Sequence, residues 1–133
     1  MIVDVIEYLE NKYVYGGVAK TKITEAQKSL NLKFSDDYVK YLEKYGAVTY
    51  ENHELTGICD ELRLNVIDVT KWNRDNHSQI PESFYVVEEL PIDSHVIWQD
   101  ENGFVYMTIY DSEPKKIFES LEDYILNFDK TEE

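Results

Sequence analysis

The sequence has few of the residues on which small-molecule chemistry usually depends. Its 133 residues include one cysteine, three histidines, three prolines and five glycines. The single cysteine, Cys59, can form neither an intramolecular disulfide nor a multi-cysteine zinc site. The glycines do not form a phosphate-binding loop, and neither G-x-S-x-G nor H-E-x-x-H occurs. The sequence therefore contains no strong catalytic, cofactor or metal motif.

Long apolar runs and a basic leader are also missing. No window approaches the ~20 apolar residues that a membrane span needs. The chain opens with the acidic, amphipathic segment MIVDVIEYLE, which does not resemble a signal peptide. We therefore expect a cytoplasmic protein without a membrane partner. A hydrophobic content of 43% in 133 residues fits a single domain spanning residues 1–133.

Basic residues are scarce, and their distribution is uneven. The chain has 27 acidic and 13 basic side chains, a net charge of −14. Residues 1–81 carry 13 acidic and 10 basic side chains, whereas residues 82–133 carry 14 acidic side chains and three lysines. Such a field repels phosphate backbones and accelerates association with a basic protein. The charge predicts a cationic protein ligand and no nucleic acid, although an acidic surface also serves solubility alone.

The stretch from residue 34 to residue 58 is the most informative part of the chain. Apolar and aromatic residues at spacings of three and four predict one buried face of a helix over residues 36–45. These residues are Tyr38, Tyr41, Leu42 and Tyr45. Ser35 can cap the start of this helix, and Gly46 can take the left-handed position after its end. The tyrosines are expected to pack, with their hydroxyls on water or backbone groups.

Shorter patterns predict the remaining elements. A first helix is expected over residues 2–13, a second from Thr24 with a capping box to Gln27, and a last over residues 120–128. Strands are predicted at 47–50, 53–58, 62–69, 84–89, 96–99, 104–110 and 115–118. Residues 70–74 are expected to form a short helix or turn, with Trp72 over the edge of the core. The tail, residues 129–133, is expected to fray.

The dipeptide Asn102-Gly103 predicts a two-residue hairpin turn, because both positions of a type I′ turn need positive φ. Glu101 would then face Phe104. The pairs that follow are Gln99 with Tyr106, Ile97 with Thr108, and His95 with Tyr110. One face would be apolar and belong to the core: Val96, Trp98, Val105, Met107 and Ile109. The opposite, mixed face is expected to be either a protein-binding surface with aromatic anchors or an ordinary solvated sheet face.

The order of these blocks resembles the SUKH superfamily of cell-wall-assembly and cell-proliferation-coordinating protein-like domains. The resemblance is carried by Phe34-Ser35-x-x-Tyr38-x-x-Tyr41-Leu42-x-x-Tyr45-Gly46, Glu54-x-x-Gly57 and Ser120-Leu121-x-x-Tyr124-Ile125. The family usually has Leu-Pro before the signature helix, where this chain has Phe34-Ser35. The resemblance implies an α+β fold with a mostly antiparallel curved β-sheet flanked by helices. Bacterial members are mostly immunity proteins against polymorphic toxins, and a fungal branch is linked to cell-wall synthesis and signalling.

The resemblance, together with the acidic charge, therefore implies a non-catalytic immunity protein that blocks a cognate toxin, a basic nuclease domain, by steric and electrostatic means. The predicted partner-binding residues are Glu54, Glu88, His95, Gln99, Glu101, Tyr106 and Tyr110. A regulatory or scaffolding interaction module is the alternative. An enzyme ranks third, because the paired carboxylates lack the accompanying ligands that would specify a site. No catalytic residue, cofactor or metal is predicted.

Overall fold

A computed structural model describes residues 2–92 and 94–131. Within these residues the chain forms five α-helices and two antiparallel sheets. The helices are α1 (Ile2–Glu7), α2 (Lys20–Leu30), α3 (Asp36–Tyr45), α4 (Val66–Asp75) and α5 (Leu121–Thr131). The strands are β1 (Lys12–Val14), β2 (Val48–Tyr50), β3 (His53–Glu54), β4 (Tyr85–Glu89), β5 (His95–Gln99), β6 (Val105–Ile109) and β7 (Lys115–Phe118). The predicted α+β class is confirmed. The tail expected to fray is helical as far as Thr131, and residues 132 and 133 lie outside the described chain.

The two sheets contribute to one main hydrophobic core. The first sheet has the order β1-β2-β3 and the second β4-β5-β6-β7. An isolated antiparallel bridge between Leu55 and Glu88 connects them. Side chains from all five helices and both sheets form the main core. A smaller cluster beside α4 comprises Val69, Phe84, Val86, Val96 and Trp98. The second sheet is therefore covered on both faces.

The tyrosines of α3 attach this helix to the chain that follows it. The Ser35 hydroxyl accepts a hydrogen bond from the Tyr38 N–H at 3.3 Å, as expected for the cap. Tyr38 and Tyr41 are completely buried. The Tyr38 hydroxyl lies 2.9 Å from the Thr56 hydroxyl, and the Tyr41 hydroxyl donates to the Thr56 carbonyl at 2.7 Å. Burial raises the pKa of both phenols, so they act as neutral hydrogen-bonding groups. The predicted packing role of these tyrosines is confirmed.

Two glycines of the same stretch allow three backbone segments to approach closely. Gly46 has the predicted positive φ, 73°, although its ψ of −62° lies outside the left-handed helical region. A Cβ on Gly46 would lie 2.0 Å from the Gly16 carbonyl oxygen. A Cβ on Gly57 would lie 1.8 Å from the Gly46 carbonyl oxygen. The Glu54-x-x-Gly57 pattern therefore reflects backbone packing against the end of α3.

The β5–β6 hairpin has a three-residue loop where the sequence predicted a two-residue turn. The Asp100 N–H donates to the Phe104 carbonyl at 3.2 Å, and the Gly103 N–H donates to the Asp100 carbonyl at 3.0 Å. The Asp100 carboxylate accepts from the Asn102 and Phe104 N–H groups at 3.0 and 3.1 Å. Three-residue hairpin loops typically consist of a type I turn followed by one residue with positive φ. Gly103, with φ of 93°, takes that last position. The predicted pairing of Glu101 with Phe104 is therefore wrong by one residue.

This shift exchanges the faces of β6, because side chains alternate along a strand. Gln99 pairs with Val105, and Trp98 pairs with Tyr106. Ile97 and Val105 belong to the main core, whereas Trp98 lies in the smaller cluster with Tyr106 packed against it. The predicted mixed, exposed face does not form, because both faces of the hairpin are covered.

The predicted strand at residues 62–69 is also wrong. A short 3-10 helix at Leu62–Leu64 leads into α4. The Asn65 side chain accepts from the Ile67 N–H at 3.0 Å and caps the helix. The β-branched residues at 66, 67 and 69 favour strands. Here the cap and the helical spacing of the buried residues Val66 and Val69 outweigh that preference.

Two helix boundaries near the N-terminus differ from the prediction. The first helix ends before Tyr13, which lies in β1 with 60% of its surface exposed. Helix α2 starts earlier than Thr24. The predicted capping residue Gln27 instead accepts from the Phe34 N–H at 2.9 Å and closes the α2–α3 connection.

Candidate functional site

Three adjoining depressions in the described part of the chain meet at the end of β4. Glu89, the last residue of β4, lines all three. The largest has a volume of about 570 Å³ and is bounded by α4, the β4–β5 loop and the end of β6. The other two have volumes of about 290 and 260 Å³. We call this surface the Glu89 groove, and its principal residues are Leu62, Trp72, Asn73, Glu89, His95 and Tyr110.

The groove exposes large apolar side chains. Leu62 is 72% exposed, Trp72 is 62% exposed and Tyr110 is 59% exposed. Tryptophan is highly buried on average in folded proteins. Exposed aromatic side chains surrounded by polar residues are typical of protein-binding sites.

Helix α4 carries the floor and one wall of the groove. The Thr70 hydroxyl accepts from the Val86 N–H at 3.0 Å and fixes the helix to β4. The Asn73 side chain is 1% exposed and donates to the Glu89 carboxylate at 2.9 Å. The same amide donates to a backbone carbonyl of the preceding turn at 2.9 Å. A buried amide therefore orients the exposed carboxylate at the centre of the groove, and Trp72 projects beside it.

Carboxylates outnumber uncompensated cations around the groove. Asp111 accepts hydrogen bonds from the Ser78 N–H at 2.8 Å and the Ser78 hydroxyl at 2.9 Å. These bonds hold the pKa of Asp111 below its ordinary value, so it is anionic at neutral pH. Arg63 forms a 2.6 Å ion pair with Glu54, which neutralises its charge locally. With Glu89, the groove is a net acidic surface.

Tyr110 adopts a strained backbone conformation at the edge of the groove. Its φ is 57°, and its N–H donates at 3.0 Å to the carbonyl of Ser94, which has φ of 55°. The left-handed conformation costs about 1–2 kcal/mol for a residue with a Cβ. Such strain concentrates at ligand-binding positions. The ring is 59% exposed at the edge of the groove, where a partner can contact it.

We expect Tyr110→Gly to raise the free energy of unfolding by about 0.5–1 kcal/mol, since relief of strain exceeds the added flexibility of the unfolded chain. Urea denaturation followed by circular dichroism measures this change. Tyr13→Gly is the matched control, because Tyr13 is similarly exposed but lies in a strand, and we expect that variant to lose stability. Equal losses in both variants would show that Tyr110 is not strained.

A buried polar cluster lies beneath one end of the groove. The Nδ1 atom of His53 is 3.1 Å from both carboxylate oxygens of Glu88, and its Nε2 is 2.9 Å from Asp129. Glu88 is completely buried. It also accepts from the Tyr124 hydroxyl at 2.5 Å and the Glu54 N–H at 2.9 Å. The imidazole therefore connects β3 to β4 and α5.

The protonation of His53 follows from these contacts. Burial lowers the pKa of the imidazole, but the hydrogen bonds and charges of Glu88 and Asp129 outweigh burial and raise the pKa to about 9. His53 is thus an imidazolium at neutral pH, with both ring nitrogens engaged. This geometry is typical of a structural clamp and differs from that of a catalytic base, which needs a free nitrogen facing a substrate.

The described residues offer no metal centre. Across residues 2–92 and 94–131, no three His, Cys, Asp or Glu side chains are arranged to hold a metal ion. Cys59 is half-buried, with its Sγ atom 3.8 Å from the Glu61 carbonyl oxygen. None of the helices in this part of the chain has the length and apolar character required to cross a membrane.

Comparison with known families agrees with this fold. The family model SUKH_5, described as SMI1-KNR4 cell-wall, matches residues 2–129. The chain belongs to the SUKH family. The resemblance expected from the tyrosine helix and its glycines is therefore confirmed. SUKH domains are immunity or SMI1-KNR4-like domains and are generally non-catalytic.

A solved structure shares the fold of this SUKH domain. The crystal structure of a protein from Pseudomonas syringae pv. tomato superposes with a TM-score of 0.72 at 15% sequence identity. The superposition covers 95% of this chain and 93% of the other. At this identity the likeness shows the fold alone. No curated protein matches the sequence.

The SUKH fold brings only part of the predicted partner-binding set together. Glu54, His95 and Tyr110 line the depressions that form the Glu89 groove. Glu101 is exposed on the β5–β6 loop, outside the groove. Tyr106 is half-buried, and its hydroxyl donates to the Asp100 carboxylate at 2.9 Å.

Two predicted contact residues lie inside the SUKH domain, so their expected placement on an exposed face is wrong. Glu88 and Gln99 are both completely buried. Glu88 belongs to the cluster around His53. The Gln99 side chain accepts from the Tyr85 hydroxyl at 2.7 Å and donates to the Asp37 carboxylate at 3.1 Å. Both belong to internal hydrogen-bond networks because the second sheet is covered on both faces.

Sequence reasoning missed Trp72, Asn73 and Glu89 as site residues. Trp72 was expected over the edge of the core, but it is mostly exposed. Residues 66, 69, 70 and 73 recur at spacings of three, one and three, which predicts a buried helical face that excludes position 72. That signal was available in the sequence. The contact between Asn73 and Glu89 depends on packing of α4 against β4 and has no local signal.

Proposed function

We propose that this SUKH domain is an immunity protein that binds and neutralises a cognate bacterial polymorphic toxin in the cytoplasm. The proposed target is a basic nuclease domain, blocked by steric coverage and by electrostatic attraction to its cationic residues. The observation that supports this proposal is the Glu89 groove, an acidic surface with exposed Trp72 and Tyr110 on a chain of net charge −14.

The chemistry of the groove fits a protein ligand. Tryptophan and tyrosine are the residues that most often dominate binding energy in protein interfaces, and they act from pockets surrounded by polar groups. Complementary charge accelerates association with a basic partner and discriminates against other acidic proteins. The proposed contacts are Trp72, Glu89, Tyr110, His95 and Glu54. Glu101 and Tyr106 stay predictions outside the groove.

A second function is a non-catalytic regulatory or scaffolding module in cell-wall or signalling pathways. The description of the matching family model as SMI1-KNR4 cell-wall favours it. Both functions need a binding surface, so the groove does not distinguish between them. The gene context distinguishes them, because an immunity gene lies beside a toxin gene and a scaffold gene need not.

The decisive experiment expresses the toxin domain encoded by the neighbouring open reading frame, with and without the SUKH protein. We expect co-expression to restore growth and calorimetry to detect a direct complex. Trp72→Ala should weaken that complex by about 30-fold, or about 2 kcal/mol, because an interfacial tryptophan loses its contact area.

Tyr8→Ala provides the matched control. Tyr8 is 86% exposed and lies outside the Glu89 groove, so its loss should leave affinity unchanged. Growth that is not restored, together with no measurable complex, would contradict the immunity function and favour the regulatory alternative. An unchanged affinity of the Trp72→Ala variant would show that the interface lies outside the groove.

A further inference from the structure

We propose that Glu89 is the docking point for an arginine side chain of the partner protein. This inference rests on the proposed function and specifies the chemistry of its binding site. The guanidinium would pair with the Glu89 carboxylate and lie against the rings of Trp72 and Tyr110. All three residues line the same depression of about 570 Å³.

The carboxylate is oriented before any partner binds. One oxygen of Glu89 accepts from the Asn73 amide at 2.9 Å, and Asn73 is 1% exposed. Asparagine is a poor helix former and is rarely buried without a polar partner. Its place on the inward face of α4 is explained by its two hydrogen bonds, one to the Val69 carbonyl and one to the Glu89 carboxylate. An exposed carboxylate that is already fixed loses less side-chain freedom when it forms an ion pair.

The surroundings favour a guanidinium over an ammonium group. Arginine is planar, binds carboxylates with two parallel N–H groups and stacks on aromatic faces. Lysine offers a compact, strongly hydrated charge that benefits less from flanking rings. With 62% of Trp72 and 59% of Tyr110 exposed, the groove presents two aromatic surfaces beside the Glu89 carboxylate.

Charge complementarity also disfavours a second copy of this chain as the occupant. Each copy carries a net charge of −14. Glu89 and Asp111 line the same depression and are both acidic. A self-association through this surface would bring like charges together, which is unfavourable. A basic protein segment with an arginine at its tip would pair with the carboxylate and stack on the aromatic rings.

The test uses hexaarginine and hexalysine peptides as probes, titrated into the ¹⁵N-labelled protein at low salt and followed by NMR. We expect hexaarginine to bind at least about threefold more tightly than hexalysine and to shift the Trp72 indole resonance. Glu89→Gln should weaken hexaarginine binding by about tenfold, as expected for loss of a charge-assisted pair. Glu25→Gln removes the same charge from the exposed face of α2, outside the groove, and should change affinity by less than about twofold.

Equal weakening by Glu89→Gln and Glu25→Gln, or equal affinity for the two peptides, would overturn the arginine site and leave only a diffuse acidic field. The growth assay reports separately on the immunity function. Restored growth with no arginine preference would refute this inference alone. Arginine preference without restored growth would refute the proposed function alone.

Discussion

Replacing His53 with alanine should lower the free energy of unfolding by about 3–5 kcal/mol, since removal of one partner leaves a buried charge without its counter-ion. The charge in question is the carboxylate of Glu88, which is completely buried and contacts Nδ1 of His53 at 3.1 Å. Tyr124 and the Glu54 N–H would still donate to it, but neither carries a positive charge. Chemical denaturation of the purified protein measures the loss.

Two further variants identify the cause of that loss. Asp129→Asn removes the outer, 59% exposed carboxylate, and we expect a loss of less than about 1 kcal/mol, because exposed ion pairs contribute little. Adding Glu88→Gln to His53→Ala removes the buried charge itself and should recover part of the stability. If the double variant were no more stable than His53→Ala, the cavity left by the imidazole would be the cause.

The same cluster gives stability a defined pH dependence. The pKa of His53 is about 9 in the folded protein against an ordinary value of 6.5, so the folded state binds the proton more tightly. The resulting stabilisation is complete below about pH 6.5 and is lost as the pH rises through about 9. The wild-type protein should therefore lose stability over this interval. His53→Ala should show a flatter profile.

Gly57→Ala should destabilise the fold by about 3 kcal/mol or more, the upper range for overpacking of a rigid site. The added Cβ would lie 1.8 Å from the Gly46 carbonyl oxygen and 2.8 Å from the Ala47 Cβ. Backbone atoms cannot rotate away as a flexible side chain can. The end of α3 and the β2–β3 region would have to separate. Thermal denaturation and the near-ultraviolet circular dichroism of the packed tyrosines report this change.

Gly16→Ala separates steric overlap from backbone conformation. Gly16 has φ of 107° but open space around its Cβ position, so alanine there meets conformational strain alone. We expect that variant to lose about 1–2 kcal/mol, less than Gly57→Ala. A Gly57→Ala protein as stable as Gly16→Ala would show that the backbones at 46 and 57 are not in rigid contact.

Elements with strong local signals were predicted well. Helix α3 has a side-chain cap, a single apolar face and a terminal glycine, all within eleven residues of one another, and its bounds are as expected. Strand β7 also has its predicted bounds. By contrast, the β-branched residues at the start of α4 favoured a strand, and only the Asn65 cap and the fit of the helix against β4 decided otherwise.

The candidate site was predicted less well because it depends on register. The one-residue shift pairs Gln99 with the core residue Val105, and because the main core covers that face of the sheet, Gln99 is buried where the sequence predicts a surface position. The Asp100 side chain determines this register by bonding to the loop backbone, and that bond competes with the turn preference of Asn102-Gly103. Asp100, Glu88 and Gln99 look alike as polar residues in a sequence, but all three are bound internally.

The sequence by itself determined the family, the α+β class, the acidic character and the tyrosine helix, because these depend on composition and on contacts between near neighbours. Only the tertiary structure decided which polar residues are surface residues and which are internal. It paired Asn73 of α4 with Glu89 of β4 and placed Trp72 beside them. Because these residues belong to different elements, neither helical nor strand periodicity predicts the contact. Burial and long-range hydrogen bonding are properties of the packed chain.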